Sequence, residues 1–269
     1  MLIDTHSHLS FKAYDKDRGE VVKRTQKEGV VCIDVGTKYE TSKNVVELAE
    51  KNEGIYAAIG LHPIHVKDEN FDKQKYKKLA LSHKFTPSGK RGVVAIGEIG
   101  LDDKYPNPGQ KDIFVQQLDL AKELNLPVIV HCRMAHTDVL DILKSEARNP
   151  KSEIRGVVHC FTGNWEEAQK YLNLGFYIGI NGIIFSPFGR SPVGGKLSLE
   201  DVVKLIPLDK ILVETDCPYL TPSEAGPKEM RNEPIFVKYV AKKIAEQKGI
   251  TFDEVASATT TNAKKIFKI

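Results

Sequence analysis

The chain has 269 residues, 41% of them hydrophobic and 28% charged, with a formal net charge of +3. Barrels of the α/β class run to roughly 250 residues, so one large domain over residues 1–269 accounts for the length and a second is not needed. The charge is too mild to require or exclude a polyanionic partner. No run of about 18 apolar residues is present, which argues against a membrane span, and no obligate protein partner is evident. The chain opens on a strand-like MLID rather than a basic stretch and an apolar run, so the expected location is cytoplasmic, with all four cysteines as thiols.

Apolar runs bounded by turn residues predict eight strands: Leu2 to Asp4, Val30 to Val35, Ile55 to Ile59, Val93 to Ile96, Pro127 to Val130, Gly156 to Val158, Phe176 to Ile180 and Ile211 to Val213. Between them, apolar residues at three- and four-residue spacing predict helices over Glu20 to Lys27, Thr41 to Lys51, Gln110 to Leu124, Thr137 to Ala147, Trp165 to Leu174 and Glu233 to Gln247. After them, TFDEVASATTTNAKKIF reads as one or two short helices capped by Thr251 or Thr261. Strand and helix in alternation specify a TIM (β/α)8 barrel of metal-dependent hydrolase type, whose Val- and Ile-rich strands suit a sheet buried on both faces. Longer connections at Asp102 to Gly109, Asn181 to Ser198 and Thr221 to Asn232 follow strand ends and would overhang the mouth, as substrate loops or as tolerated insertions.

Several of those strand ends carry residues that bind metals: His6 and His8 in LIDTHSH, Glu98 in VVAIGEIG, His131 in PVIVHC, His159 in GVVHC and Asp216 in ILVETD. Two imidazoles two positions apart project to one side of an extended strand and can share an ion. One four-coordinate ion does not need six ligands. Two divalent ions (Mg, Mn or Zn) about 3.5 to 4 Å apart would use them all. Glu98 is the natural bridge, having two oxygens and close-packing neighbours in Gly97 and Gly100; otherwise it is a salt bridge inside the barrel. Asp216 could ligate and also take a proton from water, or it could be a cap before Pro218. Cys132, Cys160 and Cys217 directly follow ligand positions, so strand alternation turns their thiols away toward core packing.

Joined to HSH, the motifs GLHP at Gly60 to Pro63, GEIGLD at Gly97 to Asp102, HCR at His131 to Arg133, HCFTG at His159 to Gly163 and ETDCPYL at Glu214 to Leu220 resemble the TatD family of metal-dependent deoxyribonucleases. RNEP at Arg231 to Pro234 and ATTTNAKKIF extend the resemblance over essentially the whole chain. It implies an amidohydrolase-superfamily barrel that hydrolyses DNA phosphodiesters, often as a 3′ to 5′ exonuclease on single strands. It further implies that His6, His8, Glu98 and Asp216 hold one metal and that Glu98, His131 and His159 hold the other. His62 resembles the family histidine beside the substrate phosphate. Arg133 follows a ligand and suits planar phosphate contact, or a structural carboxylate pair. Many members continue past the position of Asp102 with an aromatic pair, where this chain has Asp103, Lys104 and Tyr105.

The mechanism expected is attack by a metal-activated water, with Asp216 taking the proton, Glu98 joining the ions, and His62 and Arg133 at the phosphate. Related barrels cleave other esters, so removal of an amino acid from the 3′ end of tRNA is the alternative. A purely structural role for the metal is the non-enzymatic rival. His65, His83 and His136 fall outside the ligand positions, with His83 expected in solvent. For base stacking, Tyr105, Phe161, Trp165, Phe185 and Tyr219 are the aromatic candidates, and Phe185 and Tyr105 in long mouth loops are preferred.

Overall fold

The computed structural model describes residues 1–82, 92–147, 154–190, 192–193, 197–226 and 230–269, so His83 and parts of the second and third long connections lie outside the described residues. Eight strands form one sheet in chain order: β1 Leu2–Ser7, β2 Val30–Val35, β3 Ile55–Ile59, β4 Val93–Asp102, β5 Val128–Arg133, β6 Gly156–Val158, β7 Tyr177–Ile180 and β8 Ile211–Val213. Every pairing between successive strands is parallel. The ends of the sheet then meet. Thr5 Oγ1 donates to the Val213 carbonyl at 3.2 Å, the Asp216 N–H donates to the His6 carbonyl at 2.9 Å, and a parallel bridge joins Ser7 to Cys217. The result is the (β/α)8 barrel that the strand and helix pattern predicts.

Alternation along the strands divides the core in two. Ile3, Ile33, Val35, Tyr56, Ala58, Val94, Ile129, Val157, Tyr177 and Leu212 pack inside the barrel, closed off by Ala263, Ile266 and Phe267. Their neighbours Cys32, Ile55, Val93, Val128, Val130, Val158, Ile178 and Ile211 pack outward against the helices. The same two-residue period carries the inward row from Ile129 to His131, from Val157 to His159 and from Leu212 to Glu214, and a turn with Asp216 at φ +55° follows the last of these.

The helical layer comprises α1 Arg18–Lys27, α2 Tyr39–Lys51, α3 Lys73–Ser82, α4 Gln110–Leu124, α5 His136–Ala147, α6 Trp165–Asn173, α7 Leu199–Leu205, α8 Val237–Lys248 and α9 Phe252–Phe267. Reciprocal caps start three of them: Asn164 with Glu167, Ser198 with Asp201 and Thr251 with Glu254. The carboxyl-terminal segment is therefore one helix capped by Thr251. Thr261 is not a cap: it lies inside α9, its hydroxyl donating to the Ser257 carbonyl at 2.9 Å. Several expected bounds shift, most of them by one to three residues, the helices Lys73–Ser82 and Leu199–Leu205 are additional to those expected, and two bounds move further. Glu233 precedes a 3-10 turn at Pro234–Phe236 rather than opening the helix, because proline cannot supply an interior N–H. β4 runs ten residues to Asp102, with a register break between Ile96 and Ile99. In the second long connection Pro192–Val193 pairs antiparallel with Leu197–Ser198. Among the described residues, no helix is long and apolar enough to cross a membrane.

Candidate metal centre

His6 lies where β1 breaks register between Asp4 and Ser7, His8 follows directly on the end of the strand, and both are buried. The Val35 carbonyl lies 2.8 Å from His8 Nδ1, so that nitrogen carries the proton and Nε2 keeps its lone pair. His8 Nε2 faces His6 Nε2 at 3.2 Å and Asp216 Oδ1 at 3.4 Å. Glu98 Oε2 lies 3.4 Å from His6 Nε2 and 3.9 Å from His8 Nε2, and Asp216 Oδ1 lies 3.8 Å from His6 Nε2. A tetrahedral ion with bonds of about 2.1 Å needs ligand atoms roughly 3.4 Å apart. These separations scatter around that edge length, and His6 Nδ1 is a buried polar atom with no hydrogen-bond partner. The donor set fits a divalent transition metal.

The other oxygen of Glu98 faces a different set of rings. Oε1 lies 2.7 Å from His131 Nδ1, 3.0 Å from His159 Nε2 and 3.3 Å from His62 Nε2. The carboxylate therefore stands between two collections of donors. Grouped by mutual reach among the described residues, those able to hold an ion are His6 with His8 and Asp216, His6 with Glu98 and His159, and His62 with Glu98 and His131. All six ligand positions expected from the sequence converge here, and His62 lies inside the cluster rather than at its rim. Glycines permit the approach: a Cβ on Gly97 would meet the Ile129 side chain, and one on Gly100, at φ +142°, would run into the His131 carbonyl.

Behind the rings stand acids that the motifs contain but ligand spacing does not single out. Asp102 Oδ2 lies 3.0 Å from His131 Nε2, leaving Nδ1 to face Glu98. Glu214 Oε1 lies 3.3 Å from His159 Nδ1, an ion-pair distance without hydrogen-bond alignment, and accepts from the Cys160 N–H at 2.5 Å and Asn181 Nδ2 at 3.3 Å. Such partners orient metal-binding imidazoles. The place of Glu214 directly after β8, two residues from Leu212 on the inward row, is the signal that could have exposed it.

Burial is the largest single influence on each of these groups, yet the mutual attraction of carboxylates and imidazoles outweighs it at Glu98, Asp216, His131 and His159. Burial would raise Glu98, but His62, His159, His6 and His131 together hold it well below the usual carboxylate range. Asp216 is likewise lowered against its burial, first by the hydrogen bond with His8. Burial would lower His159 and His131, yet Glu98 with Glu214 raises the first and Asp102 with Glu98 raises the second. Burial lowers His6 and brings His62 down to about 4. His62 Nδ1 accepts from the Ile64 N–H at 3.1 Å, so the neutral ring presents its N–H at Nε2.

The cluster floors a cavity of about 510 Å³, open at the strand ends and walled by Phe11, Ile64, His65, Arg133, Ile183 and Tyr219 among others. Arg133 is exposed on this rim. His136 lies behind β5, its Nδ1 3.2 Å from Cys132 Sγ and 3.1 Å from the Tyr171 hydroxyl. Cys132 and Cys217 are buried core residues, as expected, although Cys132 also touches the cavity wall. Cys160 is the exception. It lies beyond β6 with φ +46°, where the alternation of an extended strand no longer applies, and it is half-buried on the cavity wall.

A parallel barrel with buried imidazoles and carboxylates gathered at the carboxyl ends of its strands defines a metal-dependent hydrolase of the TIM-barrel class. The model of TatD-related DNases matches residues 3–268, and the chain belongs to that family. Its relatives include the Bacillus subtilis protein YabD, described as an uncharacterized metal-dependent hydrolase, 43% identical with both chains covered in full. The 3′-5′ ssDNA/RNA exonuclease TatD of a Rahnella species is 36% identical over 97% of this chain and 96% of its own. Among solved structures, the TatD homologue YjjV of Escherichia coli superimposes with a TM-score of 0.85 at 30% identity, covering 100% of this chain and 98% of that one.

Proposed function

We propose that the chain hydrolyses phosphodiester bonds of single-stranded DNA from the 3′ end, using two divalent metal ions, in the reducing setting of the cytoplasm. The observation that carries this reading is the division of Glu98, with Oε2 toward His6 and His8 and Oε1 toward His131 and His159. A carboxylate so placed can join two ions. His6, His8, Glu98 and Asp216 would hold one, and Glu98, His131 and His159 the other. The family relation and the relative named as a single-strand exonuclease support the substrate class.

Bound there, two cations supply an acidified water and positive charge opposite the phosphate. The protein's own groups do the rest. Asp216 remains ionised and takes the proton released from the attacking water at its carboxylate. His62 is neutral near pH 7; its Nε2–H faces Glu98 Oε1 at 3.3 Å here and would donate to a phosphate or departing oxygen seated beside that carboxylate. Arg133 on the rim pairs with a phosphate outside the floor, where a planar fork suits two oxygens.

The deciding experiment strips the protein of metal, reloads it separately with magnesium, manganese or zinc, and follows end-labelled single strands by length, with Glu98→Gln as control. A metal-dependent ladder that shortens from the 3′ end in the unmodified protein and not in the control is the expected result. Cleavage of 3′-aminoacyl ends without phosphodiester cleavage would replace this reading with ester hydrolysis.

A further inference from the structure

The aromatics preferred from sequence as stacking platforms are poorly placed for it. Phe185 is only 8% exposed, and Phe161 is buried. Tyr105 is open to solvent, with Lys104 Nζ 5.7 Å from its ring centre, but it does not line the cavity. Tyr219 is different. It is 55% exposed and lies on the cavity wall, whereas the other large hydrophobics exposed to a similar degree among the described residues lie off that wall.

Tyr219 is also held in place. Its N–H donates to the Asp216 carbonyl at 3.0 Å, and its own carbonyl accepts from Asn232 Nδ2 at 2.6 Å. Asn232 is buried and spans to the Thr215 carbonyl at 3.0 Å, so the root of the tyrosine is tied on both sides to the segment that carries Asp216. Phe11, stacked on His8 with ring centres 4.3 Å apart, adds an apolar wall to the same cavity. A wet aromatic face on a fixed backbone beside a phosphate-cleaving floor matches one kind of ligand. That ligand is a nucleobase, flat and apolar on its faces, joined to the phosphate under attack.

We infer that Tyr219 is the stacking residue for the unpaired 3′-terminal base of a single strand, and that it sets the preference for single over double strands. The inference rests on the nuclease reading above. Stacking on an aromatic tolerates any base, since each has a π face, but a paired terminal base already uses its faces in the duplex stack. Arg133 on the rim is then available to the phosphate of the continuing strand.

The test uses the metal-loaded full chain and two single-stranded oligonucleotides, one with an ordinary 3′-terminal nucleotide and one ending in a tetrahydrofuran abasic nucleotide. Metal content and thermal midpoint of each variant confirm that it is folded and loaded. Tyr219→Ala is expected to raise KM about tenfold on the ordinary end, with the loss in KM rather than kcat. On the abasic end the same substitution should change KM less than twofold, because there is no base to lose. Tyr219→Phe, which keeps the ring, should restore most of the deficit. Equal losses on both substrates, or none on either, would overturn the stacking role while leaving the nuclease reading in place. Failure of the unmodified enzyme to cleave the ordinary oligonucleotide would overturn both.

Discussion

Two buried polar groups grow from β1 within a few residues of each other, and their bonding is opposite in kind. Asp4 accepts from Thr215 Oγ1 at 2.6 Å, from the Thr215 N–H at 2.9 Å and from the His6 N–H at 3.3 Å, stitching the first strand to the segment after the last. Asp34 likewise accepts from the Leu9 and Ser10 N–H groups at 2.5 and 3.1 Å, fixing the turn after His8. Each acceptor there meets donors. In the His6 cluster, by contrast, Nε2 of His6 faces Nε2 of His8 at 3.2 Å with carboxylate oxygens of Glu98 and Asp216 close by, and the rings of His6 and His159 stack at 3.7 Å. A network that satisfies itself is structural, whereas lone pairs converging on a common point call for a cation.

That contrast can be broken from either side. The largest effect is expected for Glu98→Gln, which removes the shared carboxylate: activity should fall on the order of 10³-fold or more, and metal measured by mass spectrometry should fall with it. A folded variant with full metal content and activity would end the bridging assignment. Next comes Asp4→Ala, which leaves the Thr215 N–H and hydroxyl without their acceptor and should cost on the order of 3 kcal/mol in denaturant unfolding. Its metal stoichiometry should not change; a loss of metal at equal stability loss would erase the distinction between the two networks.

Smaller effects sharpen the boundary between them. Asp102→Asn and Glu214→Gln loosen the rings of His131 and His159 without removing a ligand, so metal affinity should drop roughly 10- to 100-fold in titrations. Full retention would assign these acids to the structural class. Finally, carboxylates raise His131 and His159 above the ordinary imidazole value, so the metal-free site holds protons that an ion must displace. Binding should therefore release protons and tighten as pH rises through those raised values, by about tenfold per unit for each proton lost. Calorimetry in buffers of different ionisation enthalpy measures the number, and affinity independent of pH would contradict the assignment.

Much of this site was legible because strand period and position act locally. His131 and His159 each end an apolar run, and a two-residue period suffices to send them inward with Ile129 and Val157, whereas Asp216, at φ +55° past β8, reaches the mouth through a turn. His6 and His8 were legible as a spaced pair. Less so was His62, whose GLHP segment gives no sign of its depth; Gln117 pulls it in by pairing with both the Leu61 N–H at 2.7 Å and the Leu61 carbonyl at 3.0 Å. Those partners are 56 positions apart in the chain.

The stacking candidates show the same limit. Phe185 lies inside a long connection and Tyr219 just ahead of one, so loop position by itself favours Phe185. The fold buries the first in the turn Gly182–Phe185 and fixes the second through Asn232. By itself the sequence determined the alternation of strand and helix and the kinds of residue at strand ends, because these follow from local periodicity and residue identity, and its motifs carried the family resemblance. Only the tertiary structure decided which oxygen of Glu98 meets which ring, which acids stand behind the histidines and which aromatic stays wet, because each depends on contacts between segments that meet only when the barrel closes.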